Sequence, residues 1–169
     1  MSAASHRHRR FATLRAPFRF SGPARRALLE AKFRGVTQLL DPLAVAAASV
    51  PDRWAADVVA PVPLHARRQR RRGYNQSEIA ARTVAGVLGL PLDRSLLLRV
   101  RPTPPQAGLG AEARATNLSD AFAVAARPPA RVLLVDDITT TGATMQAAAE
   151  ALRRAGVTVV YALALGRED

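Results

Sequence analysis

The chain contains no cysteine, which excludes disulfide bonds, thiolate zinc sites, iron–sulfur clusters and a cysteine nucleophile. Aromatic residues make up only 5% of the sequence. Few side chains are therefore available to stack on bases, which weakens a role in reading RNA or single-stranded sequence. No apolar run approaches the ~20 residues that a membrane-spanning helix needs, and no apolar segment follows the basic stretch 5–10 as it would in a signal peptide. We expect a cytoplasmic protein without an integral membrane segment.

The sequence does contain enough apolar residues for a folded core and a large excess of positive charge. Its 169 residues are 49% hydrophobic, and the formal net charge is +12. Residues 1–72 hold 15 basic and 4 acidic residues, a net charge of +11, whereas residues 73–169 have a net charge of +1. A basic half suits a polyanionic partner such as nucleic acid, a nucleotide or an anionic lipid, but it also fits a solvated surface with no partner.

Short apolar runs alternate with helical patterns along the chain. The helices are predicted over 21–33, 38–50, 76–88 and 142–155, and the strands over 57–63 (broken at its two prolines), 96–100, 121–124, 132–135 and 157–165. Strands and helices in this order are typical of βαβ units and a parallel sheet. We therefore predict an α/β fold, with the first ~50 residues as a helical addition to its core.

The segment 132–144 carries the clearest chemical signal. A buried strand is followed by two acids, three hydroxyl residues and a glycine that begins a helix: Asp136, Asp137, Thr139, Thr140, Thr141 and Gly142. Carboxylates accept hydrogen bonds from vicinal hydroxyls such as those of ribose, and the N–H groups at a helix start suit a phosphate. The alternative is that the threonines only cap the helix and the acids are exposed. Capping needs one threonine, so the pattern favours a sugar-phosphate site at the carboxyl end of the sheet.

This segment resembles the signature that type I phosphoribosyltransferases use for 5-phosphoribosyl 1-pyrophosphate (PRPP). In that family the paired acids hold the ribose hydroxyls and the loop that follows cradles the 5-phosphate. The resemblance implies that Asp136 and Asp137 bind ribose. It assigns the 5-phosphate to Thr139, Thr140, Thr141, Gly142, Ala143 and Thr144. Magnesium would be carried by PRPP, with no metal site in the protein itself.

Two further segments resemble the competence protein F (ComF) family. The first is Pro61-Val-Pro-Leu-His65, the arginine run and Arg72-Gly-Tyr-Asn-Gln76; the second comprises Arg101, Pro102, Thr103, Gln106, Leu109, Arg114, Asn117 and Phe122. Lys32-Phe-Arg-Gly35 is a weaker marker of the same family. The resemblance implies a type I phosphoribosyltransferase-like parallel sheet flanked by helices, with an N-terminal helical extension. Residues 1–20 would form a basic, partly disordered tail and residues 21–169 a single domain. Members usually begin with a four-cysteine zinc ribbon, which a chain without cysteine lacks.

By the same resemblance, the turn after the first core strand would bind pyrophosphate. The residues assigned to this site are Val62, Pro63, Leu64, His65, Arg67, Arg68 and Arg72. Guanidinium forks match phosphate oxygens, and Pro63 and Gly73 bracket the arginine run like a hinged lid. The alternatives are a basic flexible loop or a polynucleotide patch, and a surface role for His65. Three other residues belong either to the site or to the structure around it: Asn75, Arg114 and Asn117.

Three functions therefore remain open. The first is a protein that binds Mg-PRPP and transfers phosphoribose to an unknown acceptor. The second is a non-catalytic DNA-uptake (competence) factor, with a basic N-terminal half that contacts single-stranded DNA and with competence-machinery proteins as partners. The third is a PRPP-sensing module with no nucleic-acid role. The sequence presents no general base for a defined acceptor.

Overall fold

The computed structural model describes residues 11–50, 54–101, 120–125 and 127–168. In chain order the elements are β1 (Thr13–Arg15), β2 (Phe18–Arg19), α1 (Gly22–Phe33), a 3₁₀ turn (Thr37–Leu39), α2 (Leu40–Ala48), β3 (Val58–Pro61), α3 (Ala66–Arg72), α4 (Gln76–Leu88), β4 (Leu97–Arg99), β5 (Phe122–Val124), β6 (Arg131–Thr139), α5 (Ala143–Arg154) and β7 (Val159–Arg167). The main sheet has the order β1-β7-β6-β3, with β2 also paired to β7, and all of these pairings are parallel. The predicted α/β fold, a parallel sheet flanked by helices, is confirmed.

Helices or strands cover both faces of the sheet. Because side chains alternate along a strand, Leu133 and Val135 pack in a cluster with α1, α2 and α4, whereas Val132 and Leu134 pack in a cluster with α5 and the antiparallel β4–β5 pair. A strand that is buried on both faces has a continuous apolar sequence, which is why β6 gives the clearest strand pattern in the chain.

Capping residues in the sequence predict the start of α1 and the end of α4 correctly. Helix α1 follows Ser21 and has Pro23 in its first turn, as predicted. Helix α4 covers the predicted residues and ends at Gly89, whose φ of +65° suits glycine. Among the described residues, no helix is long and apolar enough to cross a bilayer.

The N-terminal segment differs from the predicted tail. Residues 13–15 and 18–19 form β1 and β2, which pair with β7 at Thr13–Tyr161 and Phe18–Gly166. Phe11 is buried in the core. Strands of two or three residues are too short to show a period of their own, and they form here because β7 offers an unpaired edge.

The arginine run is a helix rather than a flexible loop. Nδ1 of His65 accepts a hydrogen bond from the Arg67 backbone N–H at 3.3 Å and caps the first turn of α3. Gly73 closes the other end with φ of +86°, and its N–H donates to the Gln69 carbonyl at 2.7 Å. Arginine is a good helix former, and the caps at both ends favour a helix over a loop in this segment.

Candidate functional site

The paired acids stand where the sheet opens. The last β3–β6 pair is Pro61–Val135, whereas β6 continues beside β7 as far as Thr139. Asp136 and Asp137 therefore lie within β6, beyond the end of β3. The apolar pattern alone predicts that this strand ends before the acids, and that boundary is wrong. Because the longer strand has no β3 partner here, a cleft opens at the carboxyl edge of the sheet.

Asp136 is held in a fixed orientation. It is only 8% exposed. Its Oδ1 accepts hydrogen bonds from the Ser77 hydroxyl at 2.6 Å and from the Asp137 N–H at 2.9 Å. Burial raises the pKa of Asp136 well above its usual range; the neighbouring Asp137 charge raises it further, and the Ser77 hydrogen bond opposes the shift. Asp137 is half-buried, and its Oδ1 accepts the Ile138 N–H at 2.8 Å.

A small cavity lies between the end of β6 and the start of α5. Its volume is about 90 Å³, and its lining is Asp136, Ile138, Thr139, Thr140, Thr141, Gly142, Ala143, Thr144 and Met145. Gly142 has φ of +75°, which a residue with a side chain rarely adopts. As a glycine it supplies no side-chain cap, and the Thr141 hydroxyl accepts the Ala143 N–H only at 3.4 Å. The positive end of the α5 dipole therefore borders a polar cavity.

A larger cleft of about 200 Å³ adjoins this cavity. It is lined by Lys32, Val62, Pro63, Leu64, Arg68, Arg72, Gln76, Ser77, Arg99, Asp136, Asp137, Ile138 and Thr144. Arg68 and Arg72 are four residues apart on α3, so both reach the cleft from the same face of that helix. The two cavities share Asp136, Ile138 and Thr144. Together they form one polar channel along the edge of the sheet.

Four cations face two carboxylates in the larger cleft. Burial lowers the pKa of Arg72, while the Asp137 charge opposes that shift. Burial also lowers the pKa of Arg99; the like charge of Arg68 adds to the effect and Asp136 opposes it. The Arg99 guanidinium lies over the Phe122 ring at 5.4 Å, so the β4–β5 pair holds it there. Partly desolvated cations that repel one another favour an anionic ligand.

The structure brings most of the predicted site residues to this channel. Val62, Pro63 and Leu64 line the cleft with Arg68 and Arg72, opposite the paired acids. His65 and Arg67 are not among the lining residues: His65 caps α3, and Arg67 is exposed.

The remaining predicted residues have other positions. Asn75 is buried, donates to the Val62 carbonyl at 3.1 Å and accepts the Ser77 N–H at 3.1 Å. It therefore ties the turn after β3 to the start of α4. Arg114 and Asn117 lie outside the described residues.

The sequence did not predict four polar residues that line the larger cleft: Lys32, Gln76, Ser77 and Arg99. Lys32 and Gln76 stand inside segments that resemble ComF markers, so a signal for them existed. Ser77 and Arg99 reach the cleft from α4 and β4, and no local pattern links either residue to Asp136.

Comparison with known proteins agrees with this fold. Residues 103–167 match the phosphoribosyl transferase domain family. The chain is 38% identical to Competence protein F of Haemophilus influenzae over 115 residues, which is 66% of this chain and 50% of that protein. It is 36% identical to the DNA utilization protein YhgH of Escherichia coli over 112 residues, which is 66% of this chain and 49% of that protein. The chain thus spans about half the length of the curated relatives it matches.

A solved structure supports the assignment at the level of the fold. The allosteric regulatory enzyme of purine biosynthesis superimposes with a TM-score of 0.51 and 23% identity, covering 75% of this chain and 25% of that one. The fold and the sequence matches together show that the chain belongs to the phosphoribosyltransferase superfamily, as a ComF-type member.

Proposed function

We propose that the chain binds Mg-PRPP along the channel formed by the two cavities. The observation that carries this proposal is the order of chemical groups along the channel. A hydroxyl-lined helix start is followed by two carboxylates and then by an arginine-lined cleft. PRPP has the matching order: a single phosphate, two neighbouring ribose hydroxyls and a diphosphate.

Each end of the ligand then has a physical reason for its position. The 5-phosphate accepts hydrogen bonds from the loop 139–144 and gains from the α5 dipole. Asp136 and Asp137 accept from the ribose hydroxyls. The diphosphate lies against the turn 62–64, where Arg68 and Arg72 supply charge-assisted hydrogen bonds.

The donor set also fits magnesium that enters with the substrate. Mg²⁺ usually keeps several waters and binds substrate phosphates together with one or two carboxylates. The cleft offers two carboxylates on one wall and arginines beside them. Magnesium would offset part of the diphosphate charge and favour its departure.

We further propose that bound PRPP donates its phosphoribosyl group to an acceptor. The bond from C1 of ribose to the diphosphate oxygen breaks, and its electron pair leaves with pyrophosphate. A lone pair of the acceptor forms the new bond to C1, and the acceptor releases a proton to water. Arg68 and Arg72 stabilise the charge that develops on the leaving group. Release of pyrophosphate with an added purine, pyrimidine or amine acceptor is the test, and binding without release across the set would favour a sensor.

Calorimetric titration of PRPP, with and without magnesium, tests the binding site. Replacing Asp136 and Asp137 together with Asn should abolish magnesium-dependent binding, because amides accept diol hydrogen bonds more weakly and carry no charge. Circular dichroism and a thermal melt check that the variant is folded. Unchanged PRPP affinity in the folded double variant would exclude this site assignment.

A second candidate function is supported by the outer face of α3. Arg67, Arg70 and Arg71 are exposed and are not among the cleft-lining residues. A row of exposed arginines on a helix suits the phosphate backbone of single-stranded DNA. The names of the two relatives refer to competence and DNA utilization, which agrees with this candidate.

Salt dependence of oligonucleotide binding tests the DNA candidate. Arg70→Gln with Arg71→Gln should weaken binding of a labelled single strand, and the log–log salt slope should fall by about 1.4 for two lost phosphate contacts. Arg153→Gln with Arg154→Gln removes the same charge from the exposed end of α5 and serves as the matched control. Binding that is absent, or that does not depend on salt, would eliminate this candidate.

A further inference from the structure

Gln76 has an unusual hydrogen-bonding environment in the larger cleft. It is the first residue of α4 and is only 2% exposed. Its Oε1 accepts a hydrogen bond from Nη1 of Arg72 at 2.6 Å. Its Nε2 is buried and has no hydrogen-bond partner among the described residues. Buried amide donors without an acceptor are rare and destabilising, so this side chain is poorly suited to stabilising the fold.

The hydrogen bond from Arg72 to Gln76 connects α3 with α4. None of the residues described in α3 is buried, so apolar packing does not anchor that helix. Helix α4 is anchored instead, because Ala80, Ala81 and Val84 pack in the core. The Arg72–Gln76 bond therefore links a surface helix to a fixed one and holds a partly desolvated guanidinium at the cleft, within the influence of Asp137.

We propose that Gln76 is a positioning residue for the diphosphate end of the ligand, acting by holding Arg72 in the cleft. This inference rests on the proposed binding of PRPP. A neutral acceptor suits this role because it orients the guanidinium but leaves its positive charge for the ligand. A carboxylate at the same place would neutralise Arg72 and repel the diphosphate. The chain therefore keeps a costly buried amide where an apolar residue would make the fold more stable.

The first experiment compares two ligands on one variant. Gln76→Met keeps the shape and removes the acceptor. PRPP affinity should fall about tenfold, because Arg72 loses its fixed orientation. Ribose 5-phosphate has the same sugar and phosphate but no diphosphate, so its affinity should not change. The melting temperature should stay the same or rise, since the unpartnered amide is gone. Gln69→Met, at an exposed position of α3 that does not line the cleft, is the matched control and should change neither affinity.

A double-mutant cycle tests whether Gln76 acts through Arg72. Arg72→Ala should weaken PRPP binding by more than Gln76→Met. Adding Gln76→Met to Arg72→Ala should then cause no further loss, because nothing remains for Gln76 to position. Gln76→Glu provides a second variant if the methionine chain does not fold. It keeps an acceptor for Arg72, so the chain should fold, but its PRPP affinity should fall by more than tenfold.

The outcomes separate this inference from the function on which it rests. A wild-type chain that binds neither ligand would overturn the proposed function and this inference together. If the wild-type chain binds PRPP and Gln76→Met binds it with the same affinity, the inference alone is overturned. The same holds if the losses of affinity in the double-mutant cycle are additive. Equal losses for PRPP and ribose 5-phosphate would assign Gln76 a general structural role, which also contradicts the proposal.

Discussion

At the scale of single residues, the proposed site contains a carboxyl group whose burial is costly. Asp136 is buried beside a second carboxylate, and both burial and that charge raise its pKa. Two hydrogen bonds to its Oδ1 offset only part of this cost. Such an arrangement is typical of a site that binds hydroxyl groups or cations, because the ligand replaces the interactions with water that burial removed.

The first prediction concerns Asp136→Asn. The amide keeps an oxygen for Ser77 and for the Asp137 N–H but carries no charge. We expect the free energy of unfolding at pH 7 to rise by about 1 kcal/mol. Folding raises the pKa of this carboxyl. The stabilisation that results is complete at a pH below the pKa in the unfolded chain, and it is lost as the pH rises through the pKa in the folded chain. The wild-type chain should therefore lose stability from acid towards neutral pH, and the variant should lose less. Urea unfolding at a series of pH values measures both.

Asp57→Asn is a control that should change stability at neutral pH in the opposite direction. The side-chain hydrogen bond from Arg131 lowers the pKa of Asp57, and the two groups pair at 2.6 Å on the surface. When folding lowers the pKa of a carboxyl, the resulting stabilisation is complete at a pH above the pKa in the unfolded chain. It is lost as the pH falls through the pKa in the folded chain. This variant should therefore lose stability at neutral pH, and the loss should vanish in acid. If both variants shift stability in the same direction at neutral pH, burial of Asp136 is not costly.

At the scale of elements, α3 shows how one helix can serve two surfaces. Its spacing sends Arg68 and Arg72 to the cleft while Arg67, Arg70 and Arg71 stay exposed. A flexible loop would not keep these groups apart. Helix formation thus separates the arginines proposed for the diphosphate from those proposed for DNA. The separation depends on the caps at His65 and Gly73, since no residue of this short helix is buried.

The second prediction tests the cap at Gly73. Its φ of +86° is strained for any residue with a side chain, although nothing lies within 4 Å of the position of a Cβ. Gly73→Ala should lower the free energy of unfolding by about 1 kcal/mol and should weaken PRPP binding through α3. Gly86→Ala, inside α4 with equal space and no positive φ, should raise stability by up to about 1 kcal/mol. Thermal and urea unfolding distinguish the two. If Gly73→Ala leaves the free energy of unfolding unchanged, the cap does not order α3.

At the scale of the whole molecule, residues 11–19 contribute to the sheet and to its core. Strands β1 and β2 cover the edge of β7, and Phe11 joins the core on the α5 side of the sheet. Helix α1 lies close to the sheet on the other side: a Cβ at Gly166 would approach the Leu28 side chain to 3.0 Å. Residues 13–19 therefore pair with the β7 edge of the sheet, and an unpaired strand edge is a template for pairing with another chain.

The third prediction contrasts two phenylalanines. Phe11 is 8% exposed and Phe33 is 73% exposed. Phe11→Ala should lower the free energy of unfolding by about 3 kcal/mol, because it leaves a cavity in the core. Phe33→Ala should change it by less than about 0.5 kcal/mol. Urea unfolding of the two variants measures the difference. Equal stabilities would show that residue 11 lies in a dispensable tail after all.

The parts of the protein that could be predicted are those with a local signal. The strand before Asp136, the helix that ends at Gly89 and the turn at Gly142 each depend on an apolar period or on a backbone preference within a few residues. The features that were not predicted share a cause. The pairing of β1 and β2 depends on β7, which lies at the opposite end of the chain. The helical state of the arginine run depends on its caps, and its composition fits a basic loop equally well.

By itself, the sequence determined the α/β fold, the position of the paired acids and the turn that follows them. These features arise from short-range patterns of burial and backbone conformation, which hold wherever the segment lies. Only the tertiary structure decided which cations face those acids. Lys32, Arg68, Arg72 and Arg99 come from α1, α3 and β4 and meet in one cleft because the sheet opens past the end of β3. The same packing placed Gln76 against Arg72 and left its amide nitrogen without a partner among the described residues. Side-chain environments of this kind depend on contacts between distant segments, which no local pattern specifies.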